Sequence, residues 1–280
     1  MPDQAQNLRD LISRKQKIRT LSVASGKGGV GKSCIAVNLA VSLSRLGMRV
    51  LVIDADYGLA NVDIMLGVIT KYDMSHVLKG EKTLDEIIQQ GHEGVRFISG
   101  GSGVSELLEI GEEQIAGLLK RLARVNVQID TIIMDIGAGI NEKVIQTILA
   151  SSETIIVTTP EPTSILDAYA LVKTIFNRDD THRIHVMMNK CENKKEALRI
   201  QEGFINVVGK HLGKSVSPLG FVMYDHEMTQ SIIRQVPITV SAPDCQTSKE
   251  IEQIAKAITD IPVAKKQGGM FARFFARMIS

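Results

Sequence analysis

Short runs of β-branched and other apolar residues alternate with longer segments of helical periodicity along most of this chain. The strand-like runs lie at residues 20–24, 49–53, 95–99, 130–134, 154–158, 184–188 and 219–223. Such alternation is typical of βαβ units, which place parallel strands in one sheet under helices. No Pro/Gly/Ser-rich linker divides the series. We therefore predict a single α/β domain at residues 18–262, with a mostly parallel, twisted sheet of seven to eight strands and helices on both faces.

A short amphipathic segment, residues 1–17, precedes the predicted domain. Its apolar side chains recur at helical spacing, at Ala5, Leu8, Leu11 and Ile12. Asp3 is a suitable N-cap for this helix. One interpretation is an ordinary helix packed on the body of the domain. The other is a segment that is presented to a partner protein.

Residues 263–280 carry a second amphipathic pattern, in which the link VAKKQGG is followed by MFARFFARMIS. Written as a helix, its apolar side chains share one face. They are Met270, Phe271, Phe274, Phe275, Met278 and Ile279. Arg273 and Arg277 border this face. The pattern predicts a helix that binds an anionic membrane surface, and a helix docked on its own domain is the alternative.

The overall charge is nearly balanced, with 33 basic and 31 acidic residues, so it indicates no particular partner. We expect no sequence-specific nucleic-acid partner. The three cysteines are odd in number and lack C-x-x-C spacing, which is typical of reduced thiols. No apolar run approaches the ~18 residues that a spanning helix needs. We expect a cytoplasmic protein that binds the inner face of the cell membrane reversibly.

The clearest motif is SGKGGVGKS, which lies between the first strand and a helical segment. Gly26, Gly31, Lys32 and Ser33 satisfy the phosphate-loop pattern G-x-x-x-x-G-K-[ST]. Its glycines let backbone N–H groups surround phosphates, its lysine neutralises phosphate oxygens and its serine hydroxyl ligates Mg²⁺. This predicts a P-loop domain that binds ATP and Mg²⁺. The predicted nucleotide-binding residues of the loop are Gly26, Lys27, Gly28, Gly29, Val30, Gly31, Lys32, Ser33 and Cys34.

Three acidic residues follow predicted strands, at the edge where open α/β sheets bind ligands. Asp54 and Asp56 end the second strand, and a spacing of two puts both on one side of extended backbone. Asp135 ends the fourth strand and is followed by Gly-Ala-Gly, which suits a Walker B acid and a loop that senses the γ-phosphate. For Asp54 and Asp56, a capping or turn role is the alternative.

Lys27 is unusual, because an ordinary phosphate loop has no second lysine directly after its first glycine. The string K-G-G-x-G-K-S, residues 27–33, resembles the deviant Walker A motif of the ParA/MinD ATPases. In that family the extra lysine reaches the partner's phosphates within an ATP-dependent homodimer. The resemblance therefore implies that Lys27 acts in trans, somewhat as an arginine finger does. A solvated loop lysine is the alternative.

The same resemblance implies how the site works. Asp56 would orient the attacking water, so that the catalytic residues are Asp56, Lys27 and Lys32. The residues implied around Mg²⁺ are Ser33, Asp54 and Asp135. We expect slow turnover, because a switch of this kind needs a persistent bound state.

Two further nucleotide contacts follow from the resemblance. Asn189 ends the sixth predicted strand in MMNK, where the family uses an asparagine on the adenine ring. Glu161 lies in TTPEPTSILDAYALVK, which resembles the family's dimer-face segment, and would contact nucleotide across the interface. An asparagine at a strand end is otherwise a common turn residue.

The segment DQAQNLR, residues 3–9, resembles the opening of the FlhG branch of this family, also called YlxH or FleN, which regulates flagellar number and placement. In that branch the N-terminal segment stimulates the GTPase FlhF. The resemblance implies that Gln4, Leu8 and Arg9 activate an FlhF-type GTPase. It also implies flagellar switch-complex proteins as partners, in a bacterial cell.

Other branches of the family remain as alternatives. One is a ParA-type partition ATPase, to which the basic run RKQKIR could contribute phosphate contacts. Another is a MinD-type regulator of the division site. An interaction protein with an idle nucleotide site is disfavoured by the intact Asp56. Iron–sulfur carriers of the family hold a cluster with paired cysteines, and no suitable pair follows the core strands.

Overall fold

The computed structural model describes residues 18–56, 61–100 and 129–263. The predicted activator residues Gln4, Leu8 and Arg9 lie outside these ranges. So do the predicted membrane-binding residues Met270, Phe271, Phe274, Phe275, Met278 and Ile279. The phosphate loop and the three acids that follow strands lie within them.

Eight described strands form one sheet. They are β1 (Arg19–Ala24), β2 (Val50–Ala55), β3 (Gln89–Gln90), β4 (Arg96–Ile98), β5 (Thr131–Ile136), β6 (Glu153–Thr158), β7 (Arg183–Cys191) and β8 (Ser217–Met223). Their order is β3-β4-β2-β5-β1-β6-β7-β8. Among them, only β3 and β4 pair in antiparallel fashion. The predicted mostly parallel sheet of seven to eight strands is confirmed.

The helices that connect and cover the strands are short or of moderate length. They are α1 (Lys32–Arg45), α2 (Val62–Leu66), α3 (Met74–Leu78), α4 (Leu84–Ile87), α5 (Glu142–Ala150), α6 (Pro162–Arg178), α7 (Lys194–Leu212), α8 (His226–Ile233), α9 (Ile238–Ser241) and α10 (Gln246–Asp260). Asn141, Asn193 and Asp225 cap α5, α7 and α8, because each side chain accepts a backbone N–H of the first turn. No helix of the described ranges is long and apolar enough to span a membrane.

Two hydrophobic cores lie on opposite faces of the sheet. On one face, α5, α6 and α7 bury residues such as Ile148, Leu171 and Phe204. On the other, α1 and α10 bury residues such as Leu39 and Ile254. Because both faces of the central strands are covered, β1, β2 and β5 are buried throughout. A ligand site on these strands can therefore form only at an edge where their ends meet.

All seven predicted strand runs overlap observed strands. The strand that the pattern missed is β3, which consists of two glutamines and pairs with the edge strand β4. A two-residue polar strand leaves no apolar run in the sequence, so hydrophobic periodicity cannot reveal it.

Candidate nucleotide-binding site

The phosphate loop joins β1 to α1 at the carboxyl edge of the sheet. Two of its glycines lie so close to neighbouring protein atoms that no side chain would fit. Gly31 has a φ of 87°, and a Cβ added there would lie 2.4 Å from Asn189 Nδ2. A Cβ added at Gly26 would lie 2.4 Å from the Asp167 carbonyl oxygen of α6. At Gly29 an added Cβ would meet nothing within 4 Å. The loop is thus packed against protein on one side and open to a ligand on the other.

Lys32 and Asp135 form a buried ion pair at the start of α1. Lys32 Nζ lies 2.6 Å from Asp135 Oδ1 and 3.3 Å from the Ser33 hydroxyl. The side chains of the ion pair are 7 % and 0 % exposed. Burial raises the pKa of the Asp135 carboxyl, and the Lys32 ammonium opposes this rise. Desolvation offsets much of the attraction in a buried ion pair, so phosphate oxygens can compete for Lys32.

The oxygens around Asp135 fit a hydrated Mg²⁺. Asp135 Oδ2 is buried and makes no hydrogen bond with any described residue. Such an oxygen can accept from a water of the Mg²⁺ hydration shell, because Mg²⁺ keeps several waters when it binds with phosphates. Ser33 supplies the hydroxyl that this loop type offers directly to the metal. The residues present therefore fit the predicted cofactor.

Asp54 binds the backbone that follows β2. Its Oδ1 accepts from the N–H of Asp56 at 3.0 Å, and its Oδ2 accepts from Asn61 at 2.9 Å and Val62 at 3.1 Å. Burial, followed by the charge of Asp135, raises the pKa of this carboxyl to about 6. These bonds match the turn and capping role that the sequence left open. The place of Asp54 near Mg²⁺ stays a prediction.

Asp56 reaches the cavity in front of the loop. A Cβ added at Gly137 would lie 3.3 Å from Asp56 Oδ1, so this carboxylate lies against the backbone that follows β5. Its charge also contributes to the raised pKa of Asp135. The structure thus brings Asp56, Lys32 and Asp135 together, as the resemblance implies. The action of Asp56 on water stays a prediction.

Lys27 lies at the rim of the loop and bonds to the start of α6. Its Nζ lies 2.8 Å from Glu161 Oε2 and 3.1 Å from Thr163 Oγ1. The Lys27 and Glu161 side chains are 39 % and 63 % exposed. Hydrogen bonding to Lys27 lowers the pKa of the Glu161 carboxyl. Both predicted interface residues therefore meet on one exposed surface of a single chain.

The end of β7 holds the phosphate loop in place. Asn189 Nδ2 donates to the Val30 carbonyl at 2.7 Å, and Lys190 Nζ donates to the Gly29 carbonyl at 2.7 Å. Lys190 has a φ of 56°, which is uncommon for a residue other than glycine. Asn189 also lines the cavity, and its contact with adenine stays a prediction. The positioning of the loop by both side chains was not predicted from the sequence.

A cavity of about 390 Å³ opens in front of the loop. The loop and Asp56 line one side. The other side comes from β8, α8 and the residues between them, including Val222, Met223, Tyr224, Asp225, Met228 and Ile232. Its apolar side chains suit the flat face of a purine base. Sequence reasoning missed this wall, although β8 also ends at the edge where such sheets bind ligands.

Comparisons with known proteins agree with this site. Residues 16–259 match the ParA family model, described as a NUBPL iron-transfer P-loop NTPase. The chain is 31 % identical over 263 residues to the antiactivator FleN of Pseudomonas aeruginosa, with 94 % of each chain covered. It is 34 % identical over 250 residues to the flagellum site-determining protein YlxH of Helicobacter pylori, with 89 % of this chain and 84 % of that protein covered.

Solved structures share the fold. The cell division ATPase MinD of Pyrococcus furiosus matches with a TM-score of 0.70 at 24 % identity, over 86 % of this chain and 98 % of that chain. MinD of Pyrococcus horikoshii, complexed with Mg-ADP, matches with a TM-score of 0.71 at 23 % identity, over 87 % of this chain and 96 % of that chain.

The fold and the site define a P-loop nucleotide hydrolase whose active centre lies at the carboxyl edge of a parallel sheet. The chain belongs to the ParA/MinD family of ATPases, and its cofactors are ATP and Mg²⁺. The predicted family, enzyme class and cofactors are confirmed. Its cysteines, Cys34, Cys191 and Cys245, are free thiols on α1, β7 and the turn before α10.

Proposed function

We propose that this protein is an ATP-dependent dimerising switch that binds membranes reversibly and regulates flagellar number and placement. The main support for ATP-dependent dimerisation is Lys27, which lies exposed at the rim of an intact phosphate loop. The flagellar role is supported by the similarity to FleN and YlxH over most of the chain. MinD-type and ParA-type roles are the competing functions.

Nucleotide binding would exchange the partner of Lys32. In the described structure its ammonium is bound to Asp135. Phosphate oxygens in the loop carry more charge than one carboxylate, so Lys32 would turn toward them. Asp135 would then accept from the hydration shell of Mg²⁺, which neutralises charge on the β- and γ-phosphates. Asp56 would orient water in the same cavity.

Dimerisation would exchange the partners of Lys27. Its ion pair with Glu161 is exposed to solvent, where such pairs contribute little to stability. Phosphates of the partner's ATP would offer a stronger and less hydrated site. Two chains would thus enclose two ATP molecules, with Lys27 acting in trans and Lys32 in cis. Hydrolysis removes the γ-phosphate, so the dimer would separate.

The proposed output is residues 270–280, which we call the tail. One tail should bind a membrane weakly, because each buried Phe contributes about 1.5–3 kcal/mol and ordering a short helix offsets part of that. Two tails on one dimer should bind more tightly, by roughly 10² to 10⁴. ATP would therefore control membrane binding through dimerisation.

An apolar groove between α6 and α7 is the proposed resting site of the tail. The groove has a volume of about 610 Å³, and Ile165, Leu166, Tyr169, Ile200, Phe204 and Val207 are among its lining residues. Leu166 is 67 % exposed and Val207 is 44 % exposed. Such a patch would gain hydrophobic free energy if the apolar face of the tail covered it.

Pro262, next to the last described residue, lies near the C-terminal ends of α6 and α7. Lys214, two residues after the end of α7, binds Asp180, two residues after the end of α6, at 3.0 Å. Both residues line a cavity together with Pro262. Residues 264–269, between the last described residue and the tail, can span about 20 Å when extended. A helical tail would be about 16 Å long, which is shorter than the roughly 28 Å of α7.

Liposome sedimentation tests the two proposed positions of the tail, on the membrane and in the groove between α6 and α7. Phe275→Glu should keep ATP hydrolysis and lose ATP-dependent sedimentation with anionic liposomes, because it puts a charge on the apolar face. Leu166→Glu should increase sedimentation without ATP, because it disrupts the resting site. Leu198→Glu is a matched control, since Leu198 is 40 % exposed on α7 but does not line the groove.

The results distinguish the competing functions. If wild-type protein never sediments with anionic liposomes plus ATP, the proposed membrane output is wrong. Retention on duplex DNA that requires ATP and disappears with salt would instead support a ParA-type function. Equal effects of Leu166→Glu and Leu198→Glu would exclude the groove as the resting site.

The N-terminal segment is the proposed contact with an FlhF-type GTPase. Gln4 would be presented to the GTPase site, with Leu8 and Arg9 supporting the same segment. Gln4→Ala in the full chain should abolish stimulation of GTP hydrolysis by purified FlhF while leaving ATP hydrolysis unchanged. Gln6→Ala is the matched control. Full stimulation by the Gln4→Ala chain would reject this assignment.

A further inference from the structure

A second polar cavity lies at the amino ends of β7 and β8, at the opposite edge of the sheet from the nucleotide site. We call it the strand-foot cavity. It has a volume of about 420 Å³, and its polar lining includes Asp180, Arg183, His185, Lys214, Ser215 and Ser217. The ATPase mechanism uses none of these residues.

A buried row of charged and titratable side chains runs from β1 to this cavity. Arg19 Nη2 lies 2.8 Å from Glu153 Oε2, and His185 Nε2 lies 3.0 Å from the same oxygen. Arg19 also donates to the carbonyls of Ile258 and Ile261 at the end of α10. The row crosses β1, β6 and β7 beneath α10. Arg19 therefore anchors the row to the end of α10.

His185 ends this row at the cavity wall. It is 4 % exposed, and its Nδ1 has no hydrogen-bond partner among the described residues. Nε2 lies 3.0 Å from Glu153 Oε2. The cavity wall thus includes an imidazole ring whose orientation is fixed by Glu153.

The rim of the cavity carries more positive than negative charge. Arg183 Nη1 donates to the Pro262 carbonyl at 2.8 Å, and Lys214 Nζ lies 3.0 Å from Asp180 Oδ2. One carboxylate therefore faces two cations. An arginine fork beside a lysine is the usual recognition chemistry for phosphate oxygens. A cationic ligand would instead meet repulsion from both side chains.

We propose that the strand-foot cavity binds a phosphate-type oxyanion, with Arg183 and Lys214 as donors and His185 in the wall beside them. The oxyanion could be free phosphate or the phosphomonoester headgroup of a lipid. The lipid source rests on the proposed membrane binding, because Pro262 borders both this cavity and the point where the described chain ends.

The charge balance around His185 involves every element packed against it. β1 contributes Arg19, β6 contributes Glu153 and β7 contributes Arg183, while α10 contributes backbone carbonyls. The rim contributes the Lys214–Asp180 pair, and His182 lies nearby in the wall. Arg19 and Glu153 form an ion pair with each other, so Arg183 and Lys214 supply the positive charge that faces the anion.

The full-length protein, with its nucleotide site filled by a non-hydrolysable ATP analogue, allows a direct test. Sulfate is the probe, because it is a tetrahedral oxyanion whose charge does not change near neutral pH. Titration followed by NMR should shift the His185 ring resonances, because this ring lies in the cavity wall. Arg183→Gln and Lys214→Gln should each weaken binding by about tenfold, as expected for one charge-assisted hydrogen bond.

Lys210→Gln is the matched control, because Lys210 is exposed on α7 and does not line the cavity. Unchanged His185 resonances throughout the titration would overturn the proposal. So would equal affinities for Arg183→Gln, Lys214→Gln and Lys210→Gln. The exposed variants should keep the ATPase activity, which verifies folding.

Vesicles separate the two sources of phosphate. If a lipid headgroup is the natural ligand, Arg183→Gln should reduce sedimentation with phosphatidic-acid vesicles and spare sedimentation with phosphatidylglycerol vesicles. If wild type and variant sediment equally on both kinds of vesicle while the variant still binds sulfate more weakly, the cavity binds free phosphate. Both comparisons use chains with an intact tail. If the proposed membrane binding is wrong, neither chain will sediment with either vesicle, which distinguishes that failure from a failure of the cavity proposal.

Discussion

Asp56→Ala is expected to reduce ATP hydrolysis by about 10²-fold or more while ATP-dependent dimers still form and persist. Asp56 lines the nucleotide cavity and lies against the backbone at Gly137, whereas Lys27 bonds to Glu161 and Thr163 at the rim. Loss of its carboxylate should therefore affect the attacking water more than binding or dimerisation. Single-turnover hydrolysis and light scattering measure the two effects separately.

Asp85→Ala is the matched control, because Asp85 is exposed on α4 and lies outside the nucleotide cavity. It should leave both hydrolysis and dimerisation unchanged. Rapid hydrolysis by Asp56→Ala would remove Asp56 from the catalytic role. Loss of dimers in that variant would instead show that Asp56 contributes to the interface.

Lys27→Ala is expected to abolish ATP-dependent dimerisation while the monomer keeps its affinity for ATP to within about twofold. Within one chain Lys27 bonds to Glu161 and Thr163 at the rim, whereas Lys32 is the lysine inside the loop. Removal of Lys27 should thus leave the phosphate cradle of its own chain intact. Light scattering with and without ATP, together with titration of a fluorescent ATP analogue, provides the measurement.

Lys195→Ala serves as the control, because Lys195 is exposed at the start of α7. An unchanged dimer in Lys27→Ala would remove the role of this lysine in trans. Glu161→Gln extends the same experiment, since it frees Lys27 from its partner within the chain. We expect this variant to dimerise at a lower protein concentration. Weaker dimerisation would favour the alternative implied by the family, in which Glu161 contacts nucleotide across the interface.

Much of the fold could be predicted because its signals are local. Apart from Asp130, runs such as 130–134 and 154–158 consist of β-branched and other apolar residues, which is typical of parallel strands covered on both faces. The P-loop was equally clear, since its glycines and Lys32 act through backbone geometry next to them in sequence. β3 was missed because two glutamines at a sheet edge carry no apolar pattern.

Contacts between distant residues were harder to predict. Asp54 was expected near Mg²⁺, and its carboxyl is bonded to three backbone N–H groups of the chain that follows. Asn189 was expected at adenine, and its amide donates to the Val30 carbonyl. In both cases the residue type and its place at a strand end were informative. Which polar group it meets depends on how separate segments pack.

The sequence by itself determined the class of protein, because the phosphate loop, its extra lysine and the strand-end acids are short patterns whose chemistry depends on neighbouring residues. Only the tertiary structure decided which groups these residues bind. It paired Lys27 with Glu161 across 134 positions of the chain, and Arg19 with Glu153 across the same separation. It also formed the strand-foot cavity from β7, β8 and the end of α10. Such pairings depend on the order of strands in the sheet, which no local pattern of residues specifies.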